Sequence, residues 1–284
     1  MAASGRHVTA PATGLAAAPP SWATLVLAPN PGPMTLDGTN SWVLRAAGHT
    51  GAVVVDPGPL DEPHLERLSA APVELVLITH GHLDHTEAVD RFAELTGAPV
   101  RAKDPQWCRG GEPLTAGEVI EAAGLRLTVV PAPGHTGDSV AFLVDGDEPG
   151  VLTGDTVLGR GTTVVTWPDG DLGDYLASLV RLGELGPVPV LPGHGPMLAD
   201  CAAATDFYLA HRAERLDQVR RAIQSGAGTA EEVVEIVYAD VDRGLWPAAQ
   251  MSVHAQLEYL TEAGELPGGA TPATGDAVPP QGAT

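Results

Sequence analysis

Short runs of β-branched and aliphatic residues, broken by Gly and Pro, follow one another over roughly residues 21–196. Runs of this length and composition predict strands. The predicted strands are Thr24–Leu27, Ser41–Leu44, Ala52–Val55, Leu75–Ile78, Val100–Ala102, Leu125–Val130, Val140–Val144, Val151–Thr153 and Val188–Leu191. Helical stretches at Thr86–Leu95 and Leu172–Leu185 lie between them, so the pattern predicts an α/β or α+β chain with mixed sheets.

After Pro196 the apolar positions change to a helical spacing. We predict a long helix over Ala199–Gln224, because apolar side chains recur every three or four residues along it. The stripe predicted to face the core consists of Leu209, Ala213, Leu216, Val219 and Ile223.

Two shorter helices are predicted beyond the long one. Thr229 and Glu232 form a capping-box pattern that opens a helix ending at Tyr238, and a second helix covers Ala248–Ala263. These helices could form a small winged-helix-like appendage or a helical cap without a separate function, and both alternatives remain open. The predicted organisation is a flexible leader (1–20), a main domain (21–225), a C-terminal helical segment (226–263) and a disordered tail (264–284).

The composition narrows the function classes. The 284 residues include 15 Lys+Arg and 36 Asp+Glu, which gives a net charge of −21, and Lys103 is the one lysine. This balance argues against a protein that binds by neutralising many phosphates. Cys108 and Cys201 are too few for a disulfide framework, so a reducing cytoplasm is predicted. The apolar runs are strand-sized, so no membrane span is predicted, and the pattern does not address the oligomeric state.

The residues that carry chemistry follow the strand that ends at Ile78. His80, His82, Asp84 and His85 lie within six residues of one another there. A turn at a strand end can direct these side chains at two neighbouring points, which suits a pair of divalent metal ions with nitrogen and oxygen ligands.

Three further candidate ligands have the same context. His135, Asp155 and His194 each follow a predicted strand and are each flanked by Gly. Any one of these histidines alone is better explained as an ordinary loop or core residue. Five of the ten histidines and two aspartates share this context, however, so the set predicts a metal site.

The H-x-H-x-D-H motif resembles that of the metallo-β-lactamase superfamily, and the resemblance covers roughly residues 22–225. It implies a four-layer αββα sandwich in which the main domain is catalytic. It also implies two divalent metal ions, usually Zn²⁺, with Mn²⁺ or Fe²⁺ as alternatives. In this resemblance His80, His82 and His135 hold the first metal, Asp84, His85 and His194 hold the second, and Asp155 bridges both.

Three residues receive further roles. Asp56 matches the superfamily's first motif, which implies that its carboxylate orients a metal ligand; an Asp that opens a Pro-Gly turn is the alternative. Asp84 is the candidate that orients a metal-bridging hydroxide, the nucleophile that two metal ions provide. His211 could reach the site and bind an anionic or carbonyl group, or it could only pack the long helix.

Further segments resemble a lactamase-like subfamily that includes a mitochondrial single-strand endoribonuclease and polyketide-releasing thioesterases. They are residues 30–40, 154–159, 169–172 and 208–212. The resemblance implies a hydrolase, and the acidic charge favours a small or carrier-bound ester or thioester as substrate. Cleavage of single-stranded RNA is the alternative. It would need an arginine surface near the site; the 14 arginines are scattered, and Arg160, Arg212 and Arg215 are the candidates to converge there. β-Lactam hydrolysis is less favoured because Asp155 fills the bridging position, and a non-catalytic metal-binding module is the least favoured.

Overall fold

A computed structural model describes residues 14–16 and 18–266, which contain two five-stranded sheets. The first sheet has the order β1 (Ala23–Leu27), β2 (Asn40–Leu44), β3 (Ala52–Val55), β4 (Val73–Leu77), β5 (Val100–Arg101). The second sheet has the order β10 (Val190–Pro192), β9 (Gly150–Gly154), β8 (Val140–Asp145), β7 (Leu125–Pro131), β6 (Val119–Ala122). Both sheets are mixed: β3, β4 and β5 pair in parallel, as do β9 and β10, and the remaining neighbours are antiparallel.

Helices cover the outer face of each sheet. They are α1 (Glu62–Leu68), α2 (Leu83–Thr86), α3 (Val89–Thr96), α4 (Leu172–Gly183), α5 (Cys201–Gln224), α6 (Ala230–Val237) and α7 (Trp246–Glu262). Helices α1 and α3 pack on the first sheet, and α4 to α7 contribute to the core on the second. A third core lies between the two sheets. The predicted four-layer αββα sandwich is therefore confirmed.

Strand β3 shows why these residues form an inner strand. All four of its residues are buried, which is typical of a continuous apolar run that is covered on both faces. Val53 and Val55 join the core between the sheets, whereas Val54 joins the core beneath α1 and α3. This alternation follows from the period of two in a strand.

Two elements were not predicted, and one predicted helix is divided. Strand β6 and helix α1 were not predicted because each is short. In addition, Pro63 in the first turn of α1 is also typical of a loop. The helix predicted over Thr86–Leu95 is instead the single turn α2 followed by α3. Every predicted strand overlaps an observed one.

The predicted core stripe of α5 is partly wrong. Ala213 is exposed and Leu209 and Ile223 are only half-buried. The buried face of α5 consists of Cys201, Ala204, Thr205, Tyr208, Arg212, Leu216, Val219 and Ala222. The buried face is rotated because Tyr208 and Arg212 find polar partners inside, which an apolar pattern does not register.

The C-terminal helices pack on α4 and α5. Thr229 caps α6 by accepting a hydrogen bond from the backbone N–H of Glu232 (3.2 Å), as the sequence predicted. The Glu232 carboxylate accepts from the backbone N–H of Gly228 at 2.6 Å. Val253 and Leu260 of α7 belong to the same core as the second sheet.

Both ends of the chain are only partly described. Leu15 forms a β-bridge with Leu198, within the stretch predicted as a leader; residues 1–13 and 17 lie outside the described residues. Of the predicted tail, residues 267–284 also lie outside, while Glu265 pairs with Arg220 at 2.7 Å. Within the described part of the chain, no helix has the length and hydropathy to cross a membrane. The cytoplasmic location stays a prediction.

Candidate metal centre

Seven predicted side chains meet at one edge of the sandwich, which we call the candidate metal centre. They follow the ends of four strands: His80, His82, Asp84 and His85 after β4, His135 after β7, Asp155 after β9 and His194 after β10. Gly193 allows the close approach there, because a Cβ at this position would collide with the Asp155 carboxylate and the His85 ring.

The seven side chains form two adjoining groups. The ligand atoms of His80, His82, His135 and Asp155 lie within 4.8 Å of one another, and so do those of Asp84, His85 and His194. In the first group the His82 Nδ1 atom lies 3.0 Å from His80 Nε2 and 3.1 Å from His135 Nε2. In the second group the Nε2 atoms of His85 and His194 are 3.2 Å apart.

Asp155 lies between the two groups. Its Oδ2 atom is 3.2 Å from His194 Nε2 and 3.8 Å from His135 Nε2, and its Oδ1 atom is 3.5 Å from His85 Nε2. One carboxylate therefore approaches imidazoles of both groups. The second carboxylate, that of Asp84, approaches only the second group, at 3.1 Å from His194 Nε2.

Oxygen acceptors behind the rings determine which nitrogen faces the centre. His135 Nδ1 donates to the Val164 carbonyl (2.6 Å), and His194 Nδ1 donates to the Gly38 carbonyl (3.2 Å). A carbonyl oxygen only accepts hydrogen bonds, so these Nδ1 atoms carry a proton and the Nε2 atoms are the ones that point inward.

The same assignment holds for two further rings through Asp56. His85 Nδ1 donates to the Asp56 carboxylate at 2.8 Å. The Thr79 hydroxyl donates to Asp56 at 2.7 Å, so its oxygen is left to accept from His80 Nδ1 at 3.0 Å. In four imidazoles the Nε2 atom thus faces the centre, and an acceptor behind each ring fixes that orientation.

This donor set fits divalent cations. Five imidazoles and two carboxylates converge there, and the Asp155 Oδ1 atom is buried without a hydrogen-bond partner. Bonds of 2.0–2.1 Å to a tetrahedral ion separate the ligand atoms by about 3.3 Å, close to the observed 3.0–3.2 Å between ring nitrogens. Nitrogen and carboxylate ligands suit zinc, iron and manganese.

The pKa shifts of the histidines differ between the two groups. Burial lowers the pKa of His135 to about 4 and lowers the pKa values of His80 and His82, which keeps these rings neutral. Burial acts in the same direction on His194, but the carboxylates of Asp155 and Asp84 outweigh it and raise the pKa of His194 to about 9.

Asp56 is buried. Its carboxylate accepts from the backbone N–H of Thr79 (2.8 Å) as well as from the Thr79 hydroxyl and His85. Its backbone has a positive φ of 53°, which Asp tolerates better than most residues. These contacts support the positioning role expected of Asp56.

The structure brings His211 and the three arginines to one cavity beside the centre. His211, Arg160, Arg212 and Arg215 line it together with His135 and Asp155. The His211 Nε2 atom lies 3.4 Å from the Thr162 hydroxyl, and burial and the neighbouring Arg212 and Arg215 lower the pKa of His211 to about 4. Arg160, Arg212 and Arg215 therefore lie at one cavity, although Arg160 is paired with Asp37 and Arg212 is buried.

Apart from Asp56, sequence reasoning missed the groups behind the rings. Thr79, which joins Asp56 to His80, stands directly before the first histidine, and that position was the available signal. The carbonyls of Gly38 and Val164 carry no signal in the sequence, because every residue has a carbonyl. Only the fold shows which of them lies behind a ring.

Comparisons with known proteins agree with this geometry. The family model of the metallo-β-lactamase superfamily matches residues 34–194, and that of the β-lactamase-associated winged helix domain matches residues 229–265. The chain therefore belongs to the metallo-β-lactamase superfamily. The winged-helix alternative for the C-terminal segment is confirmed, although residues 226–266 contain helices and no strand.

Individual relatives extend over most of the chain. The β-lactamase-like protein 2 homolog of Caenorhabditis elegans is 31% identical over 261 residues, 85% of this chain and 84% of that protein. The atrochrysone carboxyl ACP thioesterase of Aspergillus fumigatus is 33% identical over 241 residues, 75% of this chain and 72% of that protein.

A solved structure shows the same fold. The metallo-β-lactamase family protein of Thermus thermophilus has a TM-score of 0.73 and 26% identity, over 86% of this chain and 94% of that one. Together with the thioesterase relative, the family assignment confirms that the protein is a metal-dependent hydrolase. Members of this family bind divalent metals through His/Asp clusters.

Proposed function

We propose that the protein hydrolyses an ester or thioester with two divalent metal ions, zinc by default, at the candidate metal centre. His80, His82 and His135 would hold the first ion, and Asp84, His85 and His194 the second, with Asp155 shared. The observation that carries this proposal is the convergence of seven acceptor groups in two adjoining sets with Asp155 between them.

When bound, the metal ions polarise a scissile carbonyl and lower the pKa of water to near neutrality. Among the residues, Asp84 is the more exposed of the two carboxylates, at 27% of its side chain against 11% for Asp155. It can therefore accept a hydrogen bond from an attacking water and orient it. Asp56 and Thr79 keep the rings of His80 and His85 in the orientation that points their lone pairs inward.

An acyl substrate is supported by two observations. A relative with 33% identity is a thioesterase that acts on a carrier-bound (ACP) acyl group. The cavity beside the centre has apolar walls, which include Leu36, Leu158 and Val164, and these suit a hydrocarbon chain. A small or carrier-bound acyl thioester is therefore our first substrate class.

The test is hydrolysis of acyl thioesters of N-acetylcysteamine by the zinc-loaded protein. We expect turnover that is lost, by at least about a thousandfold, in His82→Ala, because that ring faces two other ligands of the first set. His49→Ala, at an exposed histidine paired with Glu74, is the matched control. Activity that persists in His82→Ala would contradict the proposal, whereas any metal-dependent turnover excludes a non-catalytic module.

Cleavage of single-stranded RNA is the second candidate, because Arg160, Arg212 and Arg215 line one cavity. Arg160 is neutralised by Asp37, however, and Arg212 is buried, so these residues do not form an open basic surface. Incubation of labelled single-stranded RNA with wild type and a His82→Ala, Asp84→Ala double variant decides this point. Cleavage by the wild type and not by the double variant would show that the protein is a nuclease.

A further inference from the structure

A cavity of about 290 Å³ lies between the candidate metal centre and the C-terminal segment. His135 and Asp155 of the centre contribute to its wall, and so do Tyr238, Val241 and Leu245, which follow α6. Ligand pockets have volumes of about 300–1,000 Å³, so this one accommodates a small group. It is suited to one acyl group rather than to a polymer.

Arg215 gives this cavity an uncompensated positive charge. Its Nη1 atom donates to the Gln218 side-chain oxygen (2.8 Å) and to the Val237 carbonyl (3.2 Å), and its guanidinium lies 4.6 Å from the Tyr238 ring centre. All these partners are neutral. No described carboxylate lies within ion-pair distance of Arg215, and no hydrogen bond to a described residue involves its Nε or Nη2 atom.

Arg212 adds a second positive charge without a carboxylate. It is 3% exposed, donates to the Thr163 carbonyl and lies over the Tyr175 ring. Its Nε atom is buried without a hydrogen-bond partner. Arg160 differs, because Asp37 neutralises it through two bonds of 2.6 and 2.9 Å.

Arg212 is a buried guanidinium without a carboxylate, and a cation taken out of water needs a compensating partner. Arg215 is half-buried and leaves its Nε and Nη2 atoms free to bind a ligand. This chain has a net charge of −21 and an excess of carboxylates elsewhere, yet among the described residues Asp155 is the only acidic one that lines the cavity. An anionic group on the ligand would supply the missing partner. Because His211 is neutral, it neither adds to the positive charge of the arginines nor compensates it.

We infer that the acyl group of the substrate carries a carboxylate at the end distal to the thioester, and that Arg215 binds it at the end of the cavity formed by the C-terminal segment. This inference rests on the proposed function. The hydrocarbon portion of the acyl group would pack on apolar wall residues such as Leu158, Val164 and Leu245. A planar guanidinium matches a carboxylate through two parallel hydrogen bonds, which makes Arg215 a specificity-determining residue.

The test compares adipoyl and hexanoyl thioesters of N-acetylcysteamine, which have equal chain length and differ in the terminal carboxylate. We expect the zinc-loaded wild type to prefer the adipoyl substrate. Arg215→Gln should lower kcat/KM for that substrate by about tenfold to a hundredfold, mainly through KM, as expected for a hydrogen bond to a charged group. The loss for the hexanoyl substrate should be much smaller.

Two variants serve as controls. Arg221→Gln removes an exposed arginine from the same helix and should leave the preference intact. Arg215→Lys retains the charge and should keep part of the preference, so it tests the idea even if Arg215→Gln folds poorly. Equal losses for both substrates, or no preference in the wild type, would overturn the inference.

Product binding separates this inference from the proposed function. Calorimetry should show that adipate binds the zinc-loaded protein more tightly than hexanoate, with the difference lost in Arg215→Gln. If neither thioester is hydrolysed, the proposed function fails. The calorimetry with adipate and hexanoate still tests whether Arg215 binds a carboxylate. If adipate shows no advantage and Arg215→Gln impairs only RNA cleavage, the arginine serves a nucleic acid and the inference is wrong.

Discussion

Four imidazole rings of the candidate metal centre are each oriented by an oxygen on the side away from the centre. Asp56 is the acceptor for His85 and, through Thr79, for His80, so one buried carboxylate orients one ring from each group. Such partners behind a ring fix its tautomer and raise its basicity as a ligand. The free energy of metal binding should therefore depend on Asp56, although it contributes no atom to the centre.

Replacing Asp56 with Asn should weaken metal binding by about tenfold to a hundredfold, because the charge behind His85 is lost while the shape is retained. The measurement is competition for zinc with a chromophoric chelator. Asp145→Asn, at an exposed aspartate that ends β8, is the matched control and should bind zinc like the wild type. Unchanged zinc affinity in a folded Asp56→Asn protein would contradict the positioning role.

His64 is a buried histidine outside the centre. Arg67 donates to its Nδ1 atom (3.2 Å), so Nε2 carries the proton and donates to the Ser41 hydroxyl (3.0 Å). Burial and the Arg67 charge lower the pKa of His64 to about 4. The folded state therefore holds this ring neutral at a pH where the unfolded chain binds a proton.

The free energy of unfolding should consequently fall as pH decreases from about 6.5 to about 4, because only the unfolded chain protonates this histidine in that range. The contribution of His64 amounts to about 3 kcal/mol at the low end. Urea unfolding of wild type and His64→Gln across this range measures the difference, with His49→Gln as the exposed control. A constant difference between wild type and His64→Gln would show that His64 is not responsible.

At the scale of elements, helix α7 supports the loop that orients His135. The backbone N–H of Val165 donates to the Ser252 hydroxyl of α7 (3.3 Å), and the neighbouring Val164 carbonyl accepts from His135. The Thr166 hydroxyl of the same loop donates to the His135 carbonyl. The C-terminal segment thus contacts the metal centre through one loop, in addition to lining the cavity.

Ser252→Ala should lower the free energy of unfolding by about 1–3 kcal/mol, because the buried N–H of Val165 loses its acceptor. It should also lower the activity of the metal-loaded protein, since the loop that holds His135 loosens. Denaturant unfolding and kcat measure the two effects. Thr261→Ala, on the same helix, removes only a bond to the Leu257 carbonyl and should change both far less; equal effects of the two variants would argue against this role of α7.

At the scale of the whole molecule, the C-terminal helices share one hydrophobic core with the second sheet. Leu260 of α7 and Val233 of α6 belong to the same cluster as Tyr175 of α4 and Val151 of β9. Elements that share a core unfold together when neither can bury its apolar face alone. We expect the described chain to unfold in one transition.

Leu260→Ala tests this coupling. Loss of a fully buried leucine should cost about 2–5 kcal/mol and shift the whole transition to lower denaturant. Far-UV circular dichroism and tryptophan fluorescence should report the same midpoint. Ile236→Ala, at a residue that is 54% exposed, should have little effect. A separate early transition in Leu260→Ala would show instead that the C-terminal segment is an independent unit.

The strands and the set of candidate ligands could be predicted from the sequence, because each depends on local chemistry, whereas the four layers were expected from the family resemblance. Runs of β-branched residues between Gly and Pro determine strands such as β3. His80, His82, Asp84 and His85 lie within six residues, so one turn after a strand is enough to bring these side chains together. Helix α1 and the buried face of α5 were not within reach, because proline chemistry in a short helix and buried polar partners override an apolar pattern.

Only the tertiary structure decided what lies behind and beside those ligands. The Gly38 carbonyl reaches His194 across 156 residues of chain, and Asp37 neutralises Arg160 across 123 residues while Arg215 stays unpaired. Hydrogen bonds and ion pairs over such separations depend on which loops the fold brings together, and no local pattern encodes that choice. The sequence by itself therefore determined the set of candidate metal ligands, and the packing of the loops and the C-terminal helices decided the shape and charge of the cavity beside them.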